Sequence, residues 1–357
     1  MRFNKDIVDV AKKVSLVYPN DSYLLESIDE FLNFIESFPQ SINVKINGDP
    51  FKTRGKEKNS LKRLVLLQED TYEWLSFFLF SHIYKIKQLL DDIVFSLNNK
   101  RTLATVNLTR SLMEHVASPH YYLTKISHVD EGITEDLIKK IVNVLDNDKK
   151  MEQLIRIKIP DADADIIELI KNGIKGLNLL EKRTINKHGQ VEYQKLLLKN
   201  FSIIQLLKKY YVRTRFNWRS YIKGDMDKFF LEWDRVDKSD PKYQINITTM
   251  IQKFPQEERS AEFFYNMLCD FVHPNTASHQ LVIEESKKLN NEVMRYSMTD
   301  SIKNNEIMEI LIHVIAIPIK SSLKNMKNNI TILTASLNSI KDWIEFGRTM
   351  LSREVVK

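Results

Sequence analysis

The sequence DTYEWLSFFLFSHIYKIKQLLDDIVFSL (residues 70–97), the connector NNKR (98–101) and the segment TLATVNLTRSLMEHVASPHYYLTKI (102–126) decide the predicted fold. Both long segments carry apolar residues at helical spacing over much of their circumference, which is typical of helices that are buried on more than one side. A connector this short joins helices that pack antiparallel. These residues therefore predict a central helical hairpin over about 69–126.

Helical periodicity extends over the rest of the chain. The 357 residues include only 8 Gly and 9 Pro, which is below average usage and predicts few tight turns. We predict an all-α fold, a multi-helix bundle around the central antiparallel hairpin, with at most a minor β-hairpin between Thr184-Ile185 and Val191–Tyr193. Further helices are predicted at 4–17, 21–38 (capped by Asn20 or Asp21), 134–147, 161–181, 192–222, 223–243 in part, 257–272, 277–297 and 301–350, the last broken at Pro318.

Turn-forming residues and charge suggest boundaries within the chain. INVKINGDP (42–50) is the best strand candidate, and the basic, turn-rich stretch 51–63 predicts an exposed loop. We therefore expect an N-terminal helical extension (1–60), a main helical domain (61–300) and C-terminal helices that pack on it (301–357).

The composition narrows the class of protein and its partners. The net charge of +6 permits RNA as a partner, although acidic and basic residues alternate along most of the chain. Cys269 is the single cysteine, so no intrachain disulfide can form. The N-terminal residues lack the apolar segment of a signal peptide, and no run is long enough to span a membrane. These features predict a soluble cytoplasmic protein with no membrane partner.

Two charged residues lie on an apolar face of the second long helix. Leu103, Val106, Arg110 and Met113 share one stripe, and Glu114 lies one turn after Arg110. Because buried Arg and Glu side chains are almost always paired, the spacing predicts an Arg110–Glu114 ion pair without an obvious route to water. The pair either fixes the packing of the helix or forms part of a functional site.

A second group of polar residues ends a later apolar helix. Tyr265, Cys269 and His273 lie at i, i+4 and i+8, and Pro274 ends the helix. His273 either complements the helix dipole or exchanges protons at the edge of a cleft. A cluster of Arg110, Glu114, Tyr265 and His273 is the resulting candidate site.

The motifs for metals and cofactors are weak. The stretch DADAD (161–165) lacks the Gly and Glu that a calcium loop requires, and it predicts a helix start instead. His115, His120, His273 and His279 match no zinc spacing, and no Gly-rich phosphate loop is present. We therefore predict no metal and no cofactor.

The chain resembles two helical groups. Arg110-x-x-x-Glu114 followed by Tyr265 and His273-Pro274 resembles a broad group of uncharacterised bacterial helical proteins over about residues 70–280. The segment RSLMEH also resembles the Arg-x4-6-His pattern of HEPN-type (higher eukaryotes and prokaryotes nucleotide-binding) domains, with Ser111 departing from the usual residue type. That second resemblance implies a metal-independent ribonuclease of bacterial antiviral defence or toxin systems, in which Arg110 and His115 act on RNA at a dimer interface.

Three functions therefore remain open, of which the third is a small-ligand binder that uses the same cluster to hold an anion. An RNA-acting enzyme would use Arg110 to stabilise the phosphate, Glu114 to orient Arg110, Tyr265 to donate a hydrogen bond, and His273 or His115 to transfer a proton. In a regular helix Arg110 and His115 lie about 140° apart, which favours the cluster with His273 over the pair with His115. The alternative is a non-catalytic helical sensor or scaffold that binds a protein partner. A homodimer is compatible with either function.

Overall fold

The structure is a computed structural model that describes residues 2–44, 60–144, 147–159, 167–168, 170–171, 190–212, 247–255, 260–273, 283–290, 293–298 and 305–355. It has an all-α, multi-helix fold, as predicted. The helices are α1 (Lys5–Val17), α2 (Leu24–Glu36), α3 (Ser60–Asn98), α4 (Thr102–Gly132), α5 (Glu135–Val142), α6 (Asp148–Lys158), α7 (Gln190–Val212), α8 (Ile247–Gln252), α9 (Ala261–Val272) and α10 (Asn305–Val355). A 3₁₀ turn (Pro19–Asp21) links α1 to α2, and β1 (Ile283–Asn290) pairs with β2 (Val293–Met298).

Contacts divide the chain into two compact units, and both are assembled from segments that are distant in sequence. Unit 1 contains 1–42, 80–121 and 246–331, and unit 2 contains 43–79, 122–245 and 332–357. The long helices α3, α4 and α10 each contribute residues to both units. The predicted division at residues 60 and 300, and the central position of the α3–α4 hairpin, stay predictions.

Local signals explain where several helices begin and end. The side chains of Ser260, Thr134 and Asn147 accept hydrogen bonds from the first turns of α9, α5 and α6, as N-caps do. Between α3 and α4, Lys100 takes a left-handed backbone conformation with φ of 50°. Its N–H donates to the Leu97 carbonyl oxygen at 2.9 Å, which closes the end of α3.

The apolar face of each helix supplies the cores of the units. In unit 1, Ile7, Ile28, Leu90, Met113 and Ile315 are fully buried. In unit 2, the fully buried side chains include Phe78, Leu137, Ile155, Leu198 and Leu207. These positions follow the 3.6-residue periodicity from which the helices were predicted.

Several predicted elements are wrong. Within the helix predicted at 277–297, the described residues 283–290 and 293–297 lie instead in the paired strands β1 and β2, with Ile283 opposite Met298 and Asn290 opposite Val293. The Glu, Lys, Leu and Met residues of these strands are good helix formers, but the two segments pair antiparallel instead. Conversely, Val191–Tyr193, predicted as a strand, lies in α7.

The predicted break at Pro318 is also wrong, because this residue lies inside α10, a continuous helix of 51 residues. Ile315, Ala316 and Ile319 on either side are fully buried, so packing offsets the backbone hydrogen bond that proline removes. The predicted cap of α2 is wrong as well, since Tyr23 occupies the N-cap position and makes no side-chain cap.

Other predicted elements agree only in part with the structure, or lie partly outside the residues that it describes. The loop predicted over 51–63 overlaps α3, which begins at Ser60, and 42–44 form no strand. The rest of the strand candidate, the hairpin residues 184–189 and the helices predicted within 213–243 lie outside the described residues. Of the helix predicted at 161–181, residues 167–168 and 170–171 are helical.

Candidate functional site

Two helices of unit 1 bring the predicted site residues together. Arg110 and Glu114 lie one turn apart on α4, and Tyr265 and Cys269 lie one turn apart on α9. Helical spacing directs both members of each pair to the same side of their helix. The two sides meet, although about 150 residues separate them in sequence.

The hydroxyl of Tyr265 is the centre of the cluster. It donates a hydrogen bond to Glu114 Oε1 at 2.8 Å and accepts one from Arg110 Nη2 at 3.2 Å. Arg110 Nε lies 3.1 Å from the same Glu114 oxygen, but it is not aligned as a hydrogen-bond donor. The guanidinium carbon is 5.4 Å from the centre of the Tyr265 ring. We call Arg110, Glu114 and Tyr265 the polar triad.

The polar triad is partly accessible to water. Tyr265 is buried, but the side chains of Arg110 and Glu114 are each 26% exposed. The prediction that neither charge has a route to water is therefore wrong. The predicted apolar stripe on α4 is not buried along its whole length, because Leu103 on that stripe is 40% exposed.

The surroundings determine which protonation states the cluster holds. Burial raises the pKa of Tyr265 to about 12, and the hydrogen bond to Glu114 adds to the effect, while Arg110 opposes it. Burial alone would lower the pKa of Arg110, but the Tyr265 hydrogen bond and the Glu114 charge raise it above its ordinary value. Burial also raises the pKa of the Cys269 thiol, against the pull of Arg110. At neutral pH the tyrosine and the thiol are therefore protonated and the arginine is charged.

His273 ends α9 without joining the polar triad. Its backbone N–H donates to the Cys269 carbonyl oxygen at 2.9 Å, and its side chain is exposed. Within the described residues, no hydrogen bond or ion pair connects this side chain to Arg110, Glu114 or Tyr265. Pro274 lies outside them. Three of the four residues of the predicted cluster thus lie in direct contact, and no hydrogen bond or ion pair among the described residues links His273 to them.

His115 lies in a different environment, next to α3. Its Nδ1 is 2.8 Å from the Ser111 carbonyl oxygen, which makes Nδ1 the protonated nitrogen of the neutral ring. Burial lowers the pKa of His115, and the charge of Lys85 lowers it further against the Ser111 hydrogen bond. Burial, together with His115, also lowers the pKa of His82 to about 3. Among the described side chains, no hydrogen bond or ion pair joins Arg110 to His115.

A second polar cluster in unit 1 was not predicted. His313 Nδ1 lies 2.5 Å from Oδ2 of the buried Asp21, and the ring of Tyr18 stacks on His313 at 4.0 Å. Lys320 donates to the carbonyl oxygen of Asn20 at 2.6 Å. Because 292 residues separate Asp21 from His313, no local spacing signals this contact.

The chemistry available to the polar triad follows from these contacts. One positive and one negative charge lie in direct contact, so the triad is electrically neutral. The only proton of the Tyr265 hydroxyl is already donated to Glu114. Arg110 retains further N–H groups, since a guanidinium carries five. An anion could therefore approach the exposed part of Arg110, but only against the charge of Glu114.

The described residues offer no metal site, and the chain matches no known protein. The described part of the chain holds no group of three or more His, Cys, Asp or Glu side chains that could bind a metal ion. Within the same residues, every helix is too short or too polar to cross a membrane. No protein-family model, curated protein or solved structure matches this chain. The resemblance to HEPN-type domains therefore stays a prediction.

Proposed function

We propose that this protein is a non-catalytic helical scaffold that binds a protein partner through the C-terminal half of α10. The observation that carries the proposal is a row of exposed side chains along this helix in unit 2. The row alternates steps of four and three residues, so its members lie on one face. We call it the α10 stripe: Ile332, Ser336, Ser339, Trp343, Phe346 and Met350.

The α10 stripe is unusual for a surface exposed to water. Trp343, Phe346 and Met350 are all exposed, with Phe346 at 59%, and the rings of Trp343 and Phe346 meet edge to face at 6.1 Å. The opposite face of the same helix is buried through Leu337 and Ile344. Trp, Phe and Met are enriched in the cores of protein interfaces, and exposed apolar patches mark such sites.

The spacing favours a helix as the partner surface. A repeat of 3.5 residues is the pattern by which two helices pack along each other. The two serines in the middle of the stripe are small enough to allow close approach of a second backbone. Exposed Lys341, Asp342 and Glu345 beside the stripe carry both signs of charge, which suits a partner helix of mixed charge better than RNA.

The polar triad supports a structural role under this proposal. Its charges compensate each other, and the Tyr265 hydroxyl makes a hydrogen bond to each of the two α4 side chains. Partly buried pairs of this kind hold helices in register and need no substrate. The triad would then keep α4 and α9 in place within unit 1.

Photo-crosslinking tests the proposal. A crosslinking phenylalanine analogue at position 346 should capture one defined protein, whereas the same analogue at the exposed Ser352, off the stripe, should not. The captured protein is then purified and titrated against the scaffold. Trp343→Ala should weaken binding about tenfold or more, as expected for an aromatic interface anchor, and Ser352→Ala should leave it unchanged.

Two results would contradict the proposal. The captured protein could bind wild type and Trp343→Ala equally, which would remove the stripe from the interface. Alternatively, the captured protein could be a second copy of the chain, with a doubled mass in light scattering. That result would replace a separate partner with a homodimer.

The second candidate function is a metal-independent ribonuclease of a bacterial antiviral defence or toxin system. It is favoured by the 26% exposure of Arg110 and by the half-buried His115 five residues later. The net charge of +6 suits an RNA substrate. In this function Arg110 would stabilise the phosphate, and His115 or His273 would transfer the proton.

Cleavage of labelled RNA in the presence of EDTA separates the two candidates. The scaffold should leave the RNA intact. A ribonuclease should cleave it, should lose at least about a hundredfold in rate with Arg110→Ala, and should keep its rate with Arg156→Ala. Arg156 is the matched control because it is an exposed arginine paired with a glutamate one turn away, Glu152 at 3.0 Å.

A further inference from the structure

Unit 2 contains a cavity that lies beside the α10 stripe and shares Ile332, Ser336, Ser339 and Trp343 with it. It lies among α3, α4, α7 and α10 and has a volume of about 560 Å³. Cavities of this size are typical of sites for small molecules, and they are too small for a folded partner. All of its lining residues belong to unit 2.

Apolar side chains form the larger part of the cavity wall. Each of the four helices contributes a buried aliphatic side chain, namely Leu75, Leu123, Ile203 and Leu333. The indole of Trp343 lines the same space. Apolar walls of this kind stabilise a ligand in proportion to the apolar area that it buries.

The charges at the cavity compensate each other. Lys199 Nζ lies 3.0 Å from Asp130 Oδ1, with Asp130 exposed and Lys199 half-buried. A ligand with a net charge would have to separate this pair or leave its own charge unpaired beside apolar walls. Separating a partly exposed pair costs little, whereas an unpaired charge beside apolar walls is strongly unfavourable.

Most of the uncharged polar side chains that line the cavity already donate a hydrogen bond to another group of the protein. Ser127 Oγ donates to Glu131 at 3.1 Å, Ser336 Oγ donates to a backbone carbonyl at 3.0 Å, and the Asn200 amide donates to another at 2.8 Å. Their oxygen atoms retain lone pairs that can accept hydrogen bonds. The buried amide of Gln68 can donate or accept. A ligand that brings its own O–H or N–H donor therefore matches these groups.

From the walls and the polar groups together, we infer that this cavity binds a neutral, largely apolar small molecule that carries a hydroxyl or amide donor, such as a long-chain alcohol. The apolar body would lie against the aliphatic walls, and the donor would bond to a serine or amide oxygen. Ligand binding does not require a protein partner, although four residues of the α10 stripe also line the cavity. Because the assay of ligand binding contains no partner, either proposal can fail without the other.

Displacement of a neutral environment-sensitive dye tests the inference on the full chain. The competitors are 1-dodecanol, dodecanoate and dodecyltrimethylammonium, which share an apolar chain and are used below their micelle concentrations. We expect dodecanol to displace the dye at a concentration at least about tenfold lower than either ion. Equal or tighter binding of either ion, or no binding of the alcohol, would overturn the inference.

A pair of matched variants links the binding to this cavity. Ser127 is an exposed helical serine that lines the cavity, and Ser352 is an exposed helical serine that does not. Ser127→Phe should fill part of the cavity and weaken the binding of dodecanol at least about tenfold. Ser352→Phe should leave this binding unchanged. Ala335→Phe, on a different helix of the lining, provides a second cavity-filling variant. Unchanged affinity in folded Ser127→Phe and Ala335→Phe would place the ligand elsewhere and overturn the inference.

Discussion

At the scale of single residues, the Tyr265 hydroxyl does most to define the candidate site. A tyrosine oxygen has one proton to donate and lone pairs to accept, and here it donates to Glu114 while accepting from Arg110. Without this hydroxyl, the partly buried side chains of Arg110 and Glu114 would each lose a hydrogen-bond partner. The cluster therefore depends on the hydroxyl oxygen of Tyr265. Tyr265 was predicted as part of the site because it begins the row that ends at His273.

Tyr265→Phe should lower the free energy of unfolding by about 1–2 kcal/mol, because it leaves Glu114 and Arg110 without a hydrogen-bond partner. Denaturant unfolding measures the change. Tyr23→Phe is the control, since the Tyr23 side chain is exposed, and its effect should stay within about 0.5 kcal/mol. Equal effects of the two substitutions would show that the hydroxyl of Tyr265 contributes nothing.

The buried His82 should make the protein sensitive to acid. The pKa of His82 in the folded protein is about 3, well below the ordinary histidine value of 6.5, so the unfolded chain binds the proton more tightly. The contribution of His82 to stability is therefore present above about pH 6.5 and is lost as the pH falls towards 3.

Unfolding measured at several pH values between 4 and 6 tests this expectation. Wild type should lose up to about 1.4 kcal/mol per pH unit through His82, and His82→Gln should have a correspondingly smaller slope. Replacement of the exposed His273 by Gln is the control. Parallel pH profiles for wild type and His82→Gln would contradict the lowered pKa.

At the scale of elements, close contacts between helices explain features that composition does not. Gly347 lies inside α10, where glycine is unfavourable by about 1 kcal/mol relative to alanine. A Cβ at this position would lie 2.5 Å from Cγ2 of the buried Val65 on α3. The glycine therefore permits the approach of these two helix segments within unit 2.

Gly347→Ala should destabilise the protein by about 1 kcal/mol, since the clash with Val65 exceeds the gain in helix propensity. Combined with Val65→Ala, the same substitution should become neutral or stabilising relative to Val65→Ala alone. A double-mutant cycle should give a coupling energy of about 1 kcal/mol or more. Additive effects, as expected for Val65→Ala with the distant Ser352→Ala, would contradict the contact.

At the scale of the whole molecule, unit 1 is assembled from three separate segments of the chain. The N-terminal segment is attached by Asn4, whose backbone N–H donates to the side chain of Asn98 at 2.8 Å, and by the Asp21–His313 contact. The polar triad joins the second segment to the third. Unit 1 therefore cannot complete its core before residues near 331 are present.

A fragment ending at residue 245 should leave α4 unprotected against limited proteolysis between 102 and 121, because it lacks α9 and the part of α10 that belongs to unit 1. A chain ending after Ser352 is the control and should keep the protection of full-length protein. Mass spectrometry of the peptides gives the measurement. Equal protection in the fragment would show that the first two segments fold without the third.

The sequence predicted those features that depend on neighbouring residues. The periodicity of apolar residues predicted α1, α2 and the two long helices α3 and α4. The observed bounds differ from the predicted ones mainly because α3 begins earlier and α4 ends later than predicted. Arg110 and Glu114 were predicted to pair because an i, i+4 spacing brings side chains together in any helix. A row of apolar residues ending at His273 likewise predicted α9.

Tertiary structure decided the features that depend on distant residues. The hairpin at 283–298 replaced a predicted helix, and α10 passed through Pro318, because pairing and packing outweighed local preference in both places. The contact of Tyr265 with the α4 pair and the cavity of unit 2 arise only when segments far apart in the chain meet. A single sequence records the spacing along a helix but not which faces of different helices pack, since that choice rests on summed packing over the whole core.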